Sequence, residues 1–153
     1  MLKTIFIILI FIVTLTFIFQ NQSIFIHSFS INYDLKLFKI NKKFYNSSYH
    51  ITDLKLCSLR LHDNFRFPWV ILIPKRKNIR DISELNSKDQ ILLIKEIVEV
   101  SKVMKKLFKT NKLNVEKIGN IVPQLHIHII ARRKKDKTWP LSVWVVKGKN
   151  YSK

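Results

Sequence analysis

Apolar and polar positions alternate along Lys55-Leu56-Cys57-Ser58-Leu59-Arg60-Leu61, and an unbroken apolar run covers residues 69–73. Period-two alternation and short apolar runs between polar breaks predict two neighbouring strands, joined by the stretch from Asp63 to Pro68. The pattern then changes period. Ser87-Lys88-Asp89-Gln90 has capping-box spacing with an acid in the first turn, and it predicts a helix running to about Phe108. Ile91, Ile94, Val98, Met104 and Leu107 or Phe108 form the apolar stripe expected to meet the core. Lys102, Lys105, Lys106 and Lys109 suit the carbonyl end of the helix dipole. Leu113 and Val115, alternating with Asn114 and Glu116, predict a third strand. A turn at Gly119 leads into another strand over 124–130, and Ser142–Val146 reads as a last, weaker one. Together these elements predict an α+β fold: an antiparallel sheet of about five strands with one long helix packed on it.

The first 36 residues have a different character. Ile5 to Phe19 is an uninterrupted run of 15 apolar residues and threonines, preceded by Lys3. It falls short of the roughly 20 residues of a full span, and no small-residue cleavage site follows it. Two readings stay open. The run is an uncleaved membrane anchor, or residues 1–36 are upstream sequence and translation starts at a Leu37 codon, since no Met lies between Met1 and Met104. Either way the boundary divides a hydrophobic extension, 1–36, from a domain over 37–153. The patch from Ser23 to Ser30 has no assigned role.

The strand at 124–130 carries the chemistry. In Gln124-Leu125-His126-Ile127-His128-Ile129-Ile130, strand geometry sends Leu125, Ile127 and Ile129 to one face and Gln124, His126 and His128 to the other. A buried imidazole costs desolvation unless both ring nitrogens find partners. Three explanations compete: metal ligation, a hydrogen-bonded structural pair, and nucleophile or acid–base work. A zinc site would need further ligands from His27, His50, His62, an Asp or Cys57, and none stands at recognisable ligand spacing.

Composition narrows the picture only slightly. A single cysteine excludes an internal disulfide framework and fits a reducing, cytoplasmic compartment, with membrane attachment through Ile5–Phe19 as the alternative. The alternation places Cys57 on the more polar face of its strand, as an ordinary residue. The formal charge of +18 is carried by 28 basic residues, 22 of them Lys, in a chain with two Gly and one Ala. That bias is what an AT-rich genome produces, so the charge is weak testimony for anion binding. Arg132-Arg133-Lys134-Lys135 is either a solvated loop or a phosphate-steering patch. Nucleic-acid binding is not expected, because no groove-reading helix or stacked aromatic array accompanies the charge.

The stretch Gly119-Asn120-Ile121-Val122-Pro123-Gln124-Leu125-His126-Ile127-His128-Ile129-Ile130 resembles the signature of the histidine triad superfamily of nucleotide hydrolases and transferases, His-φ-His-φ-His-φ-φ with φ apolar. The resemblance covers roughly residues 37–146. It looks closest to a bacterial branch that already carries Gln in the first position, where Gln124 stands. It implies that His126 is the nucleophile toward an α-phosphorus and that His128 assists the leaving group. Gln124 would supply the backbone carbonyl that orients His126. Leu61-His62-Asp63-Asn64 resembles the strand end that holds a ribose, a role falling to Asp63 beside His62. Asn114, Gly119 and Asn120 would line the phosphate. Trp69 stands where many members carry histidine. Trp139-Pro140 resembles a C-terminal Trp-Pro that reaches toward a partner subunit's site, without the Gly that follows in some members. The resemblance further implies a homodimer, a small-molecule nucleotide substrate and no cofactor required by the motif; a divalent metal stays open, and no residue is assigned as a metal ligand. Gln124, Trp69 and the missing Gly motivate a second hypothesis, a nucleotide-binding or interaction protein that keeps the pocket without turnover.

Overall fold

The computed structural model describes residues 38–151. The Ile5–Phe19 run, the Ser23–Ser30 patch and the 1–36 extension lie outside the described residues. The chain enters through a short helix, α1 (Lys42–Ser47), capped by Asn41, whose side chain accepts from the Lys43 N–H. Strands β1 (Ser48–Asp53), β2 (Cys57–His62) and β3 (Trp69–Pro74) follow. The long helix α2 (Ser87–Phe108) comes next, then β4 (Lys112–Glu116) and β5 (Ile127–Arg132). The five strands form one sheet in the order β1-β2-β3-β5-β4, every neighbouring pair antiparallel.

The fifth strand is not the one the pattern indicated. β1 at Ser48–Asp53 was not anticipated, because Ser-Tyr-His-Ile-Thr-Asp offers little apolar contrast and a bulge between His50 and Thr52 breaks its alternation. Ser142–Val146 forms no strand; Val143–Val145 is a single 3₁₀ turn. Val143 drops into the core there, while the Trp144 indole N–H bonds the Glu116 carboxylate, so neither lies along a sheet edge.

Helix and sheet are joined by a buried apolar layer. Leu59, Leu61, Val70, Leu72, Leu125, Ile127, Ile129 and Ala131 meet Leu93, Val100, Val103 and Met104 of α2. Cys57 belongs to this layer and is fully buried, not on a polar-leaning face. The stripe expected on α2 also needs correction: Ile91, Ile94 and Val98 are exposed. The buried face includes Glu96, whose carboxylate accepts from the Leu56 and Cys57 N–H groups at 2.7 and 3.0 Å. Those amides bend between β1 and β2 and need an acceptor. A polar residue on the core face disguised that face in the sequence pattern. Asn86, rather than Ser87, caps the helix by accepting from Asp89 N–H at 2.9 Å, and Asp89 in turn takes a two-pronged bond from Arg76.

The opposite face of the sheet carries a second, smaller cluster. It contains Phe44, Phe67, Trp69, Ile71, Ile73, Val122, Ile130 and Val143. Central strands β3 and β5 are buried at every position, because this cluster covers one side and α2 the other. The histidines share this second face.

Candidate active site

Leu125, Ile127 and Ile129 enter the helix-side core, so His126 and His128 project together from the other face. Only His128 lies within β5; His126 stands just before it, held by the Leu125 N–H bond to Ile79 O. The His126 Nδ1–H donates to the Gln124 carbonyl at 2.7 Å. This bond assigns the proton to Nδ1 and leaves the Nε2 lone pair free. The His126 and His128 rings meet edge to face with centroids 4.7 Å apart. The Phe44 ring of α1 packs on His126 at 4.9 Å.

His128 is fixed differently. The Trp69 indole Nε1–H donates to His128 Nδ1 at 3.0 Å. His62 stacks on Trp69 at 4.1 Å, nearly parallel, and Trp144 closes against both Trp69 and His128. Burial therefore dominates the titration of all three histidines. It lowers His126, with a further push from Lys117, against the opposing pull of the Gln124 carbonyl. Burial and the neighbouring His126 and His62 take His128 down to about 3. Burial takes His62 down to about 4, although Asp63 acts in the other direction. All three are neutral imidazoles at pH 7.

The remaining sequence-predicted residues divide. His62 joins the site through Trp69, with its own Nδ1 buried and unpartnered. The Gln124 side chain turns to the incoming chain: it accepts from Asn41 N–H at 2.8 Å and donates to Lys39 O at 3.0 Å. Asp63 lies one residue past β2, and its carboxylate accepts from the Tyr151 N–H at 2.9 Å, so nothing joins it directly to His126. The Asn114 side-chain oxygen is committed to Arg132 Nη1 at 3.1 Å. Gly119 takes a left-handed turn, φ 76°, which glycine adopts without strain, and Asn120 beside it is exposed. Trp139 packs beside the Arg132 guanidinium of its own chain. Sequence reasoning missed Phe44 and Trp144. Phe44 lies on an unrecognised helix, and Trp144 was assigned to a strand.

Among the described residues, no group of three or more His, Cys, Asp or Glu is placed to hold a metal ion, and no helix is long and apolar enough to cross a membrane.

A five-stranded antiparallel sheet, with a helix on one face and a tautomer-fixed imidazole pair on the other, defines an α+β domain built around histidine chemistry. The comparisons give that class its name. A profile of the HIT domain matches residues 43–135, and the chain belongs to that family, whose members generally act on nucleotides. A histidine triad protein of Sinorhizobium meliloti 1021 is 37% identical, with TM-score 0.75, over 77% of this chain and 88% of that one. Histidine triad proteins of Bradyrhizobium japonicum and Marinobacter aquaeolei VT8 are each 35% identical, with TM-score 0.73. Both matches cover 75% of this chain, and 87% and 85% of theirs. No curated protein matches the chain.

Proposed function

We propose that the domain is a nucleotide hydrolase or nucleotidyltransferase acting at the α-phosphate of a nucleoside phosphate or conjugate, with His126 as covalent nucleophile. One observation carries this reading: the His126 Nδ1–H bond to the Gln124 carbonyl, which leaves Nε2 unprotonated with its lone pair free. The required group at the first triad position is a backbone carbonyl, so Gln124 serves as well as histidine. Nε2 attacks phosphorus, the leaving group departs beside His128, and water or a second acceptor releases the nucleotide. His62 and Asp63 stand on the ribose side of this scheme. Gly119, Asn120 and Asn114 stand on the phosphate side, where positioning and charge stabilisation dominate.

A second reading, nucleotide binding without turnover, is favoured by one contact: Trp69, which stands where many members carry histidine, takes up the Nδ1 of His128. Turnover of dinucleoside polyphosphates, nucleoside phosphoramidates and adenylylated conjugates separates the two. The first reading predicts turnover that His126→Ala abolishes while nucleotide binding persists. Equal activity in both proteins supports the second.

The exposed Ile91, Ile94 and Val98 on α2 suit a homodimer contact. We assign the domain to 37–153, without a required cofactor. The free Cys57 suits a reducing cytoplasm.

A further inference from the structure

We propose that Trp69 fixes His128 as a neutral Nε2–H donor, and that the site therefore takes nucleotidyl donors whose leaving group departs as an anion, such as a phosphate or carboxylate, in preference to an amine. This inference rests on the nucleotidyl-transfer reading and narrows its substrate class.

The argument starts from donor inventory. An indole nitrogen donates and never accepts. The 3.0 Å contact from Trp69 Nε1 therefore requires a lone pair on His128 Nδ1, and the ring proton belongs on Nε2. Protonating Nδ1 would set two N–H groups against each other. The indole cannot turn aside: it is 3% exposed, stacked by His62 at 4.1 Å and closed by Trp144 at 4.7 Å. The groups around His128 do not favour an imidazolium. His126 adjoins it from just before the strand, and His62 lies behind Trp69. Glu116, its register partner on β4, has its carboxylate bonded by Ser142 Oγ and Trp144 Nε1. Lys117 is paired with Asp81. Ile71 across β3 is apolar, as is Phe44 against His126. Burial keeps His128 neutral far below neutral pH.

The chemical consequence follows from where electrons go. The His126 Nε2 pair forms the N–P bond as the P–O bond breaks, and that bond's pair leaves on oxygen. His126 becomes a phosphorus-bound imidazolium whose Nδ1–H still donates to Gln124. His128 Nε2–H stabilises the departing oxygen by a hydrogen bond and transfers no proton. Water then attacks phosphorus, returns the pair to Nε2 and gives its proton to solvent. A phosphoramidate would need its nitrogen protonated as the P–N bond breaks, and a neutral imidazole is a poor acid for that step. Missing general-acid assistance costs on the order of 10²-fold or more.

The test compares the full chain on two donors of one nucleotide, diadenosine triphosphate and adenosine 5′-phosphoramidate, in single turnover. The proposal expects an anhydride-to-amidate ratio of kcat/KM of about 100 or more. Trp69→Phe, which keeps the ring but frees Nδ1, should lower that ratio by about tenfold or more and give amidate cleavage an acid-side pH optimum. On ¹⁵N-labelled wild type, NMR should show His128 as the Nε2–H tautomer and unprotonated at pH 5. A His128 that titrates near the ordinary histidine value, or carries its proton on Nδ1, overturns the proposal whatever the kinetics. Comparable cleavage of both donors through a His126 adduct overturns it while leaving nucleotidyl transfer standing. Absence of an adduct with either donor overturns the underlying reading instead.

Discussion

Removing the Gln124 side chain should loosen the wall of the site without touching the carbonyl that orients His126. The side chain spans two backbone groups, Asn41 N–H at 2.8 Å and Lys39 O at 3.0 Å. Asn41 caps α1, and α1 carries Phe44 onto the His126 ring. Each hydrogen bond contributes about 1 kcal/mol net, so Gln124→Ala should weaken the docking of α1 by about 2 kcal/mol. A shift of that size raises the population of the opened segment by roughly 30-fold. Hydrogen exchange at the Phe44 amide, which bonds Asn41 O at 3.0 Å, reads this opening directly. We expect exchange there to accelerate by about that factor, while amides in β3 and β5 change far less. His126 should keep its Nδ1–H tautomer, since the substitution leaves the carbonyl in place. Unchanged exchange at Phe44 would show that Gln124 does not hold the segment. Loss of the tautomer would show that the side chain, and not the backbone, orients the nucleophile.

Three further outcomes follow from the packing. Glu96→Ala strands the Leu56 and Cys57 N–H groups in a fully buried bend, which should cost about 4 kcal/mol in denaturant unfolding; a loss under 1 kcal/mol would deny Glu96 that role. His62 and His128 have folded pKa values of about 4 and about 3, below their ordinary 6.5, so the unfolded chain takes up their protons first as pH falls. Stability should therefore be insensitive to them above pH 6.5 and fall below it, by about 2 kcal/mol per histidine at pH 5; a flat profile from pH 7 to 5 would contradict their burial as neutral rings. If the exposed α2 stripe forms the proposed homodimer contact, Ile94→Glu, which places a charge in it, should shift sedimentation from dimer to monomer, whereas a wild-type monomer or an unchanged dimer would deny the stripe that role.

The sequence was most informative where chemistry and periodicity coincided. Alternation around His126 and His128 predicted their shared face, and the strand pair 55–61 and 69–73 formed as expected. It was least informative where a polar residue does a core residue's work. Glu96 faces inward to satisfy backbone amides, and the apolar pattern on α2 was consequently assigned to Ile91, Ile94 and Val98. Short elements fixed by tertiary contacts also escaped. Phe44 reaches His126 through burial in the second apolar cluster, beside a tether from Gln124 to residues 39–41 more than 80 positions away. Trp144 sits against His128 through a bond to Glu116 that no local pattern encodes. The Trp69 substitution was visible in the sequence, but its meaning lay in the 3.0 Å contact to His128 Nδ1.

The most direct test of His126 as nucleophile is covalent trapping. Substrate labelled at the α-phosphate, quenched without acid to preserve the phosphorus–nitrogen bond, should tag wild type and His128→Ala, with peptide mapping placing the label on His126. His126→Ala should take up no label and turn over nothing, because no neighbouring side chain can form that bond. Label on another residue, or full activity in His126→Ala, would contradict nucleophilic catalysis by His126.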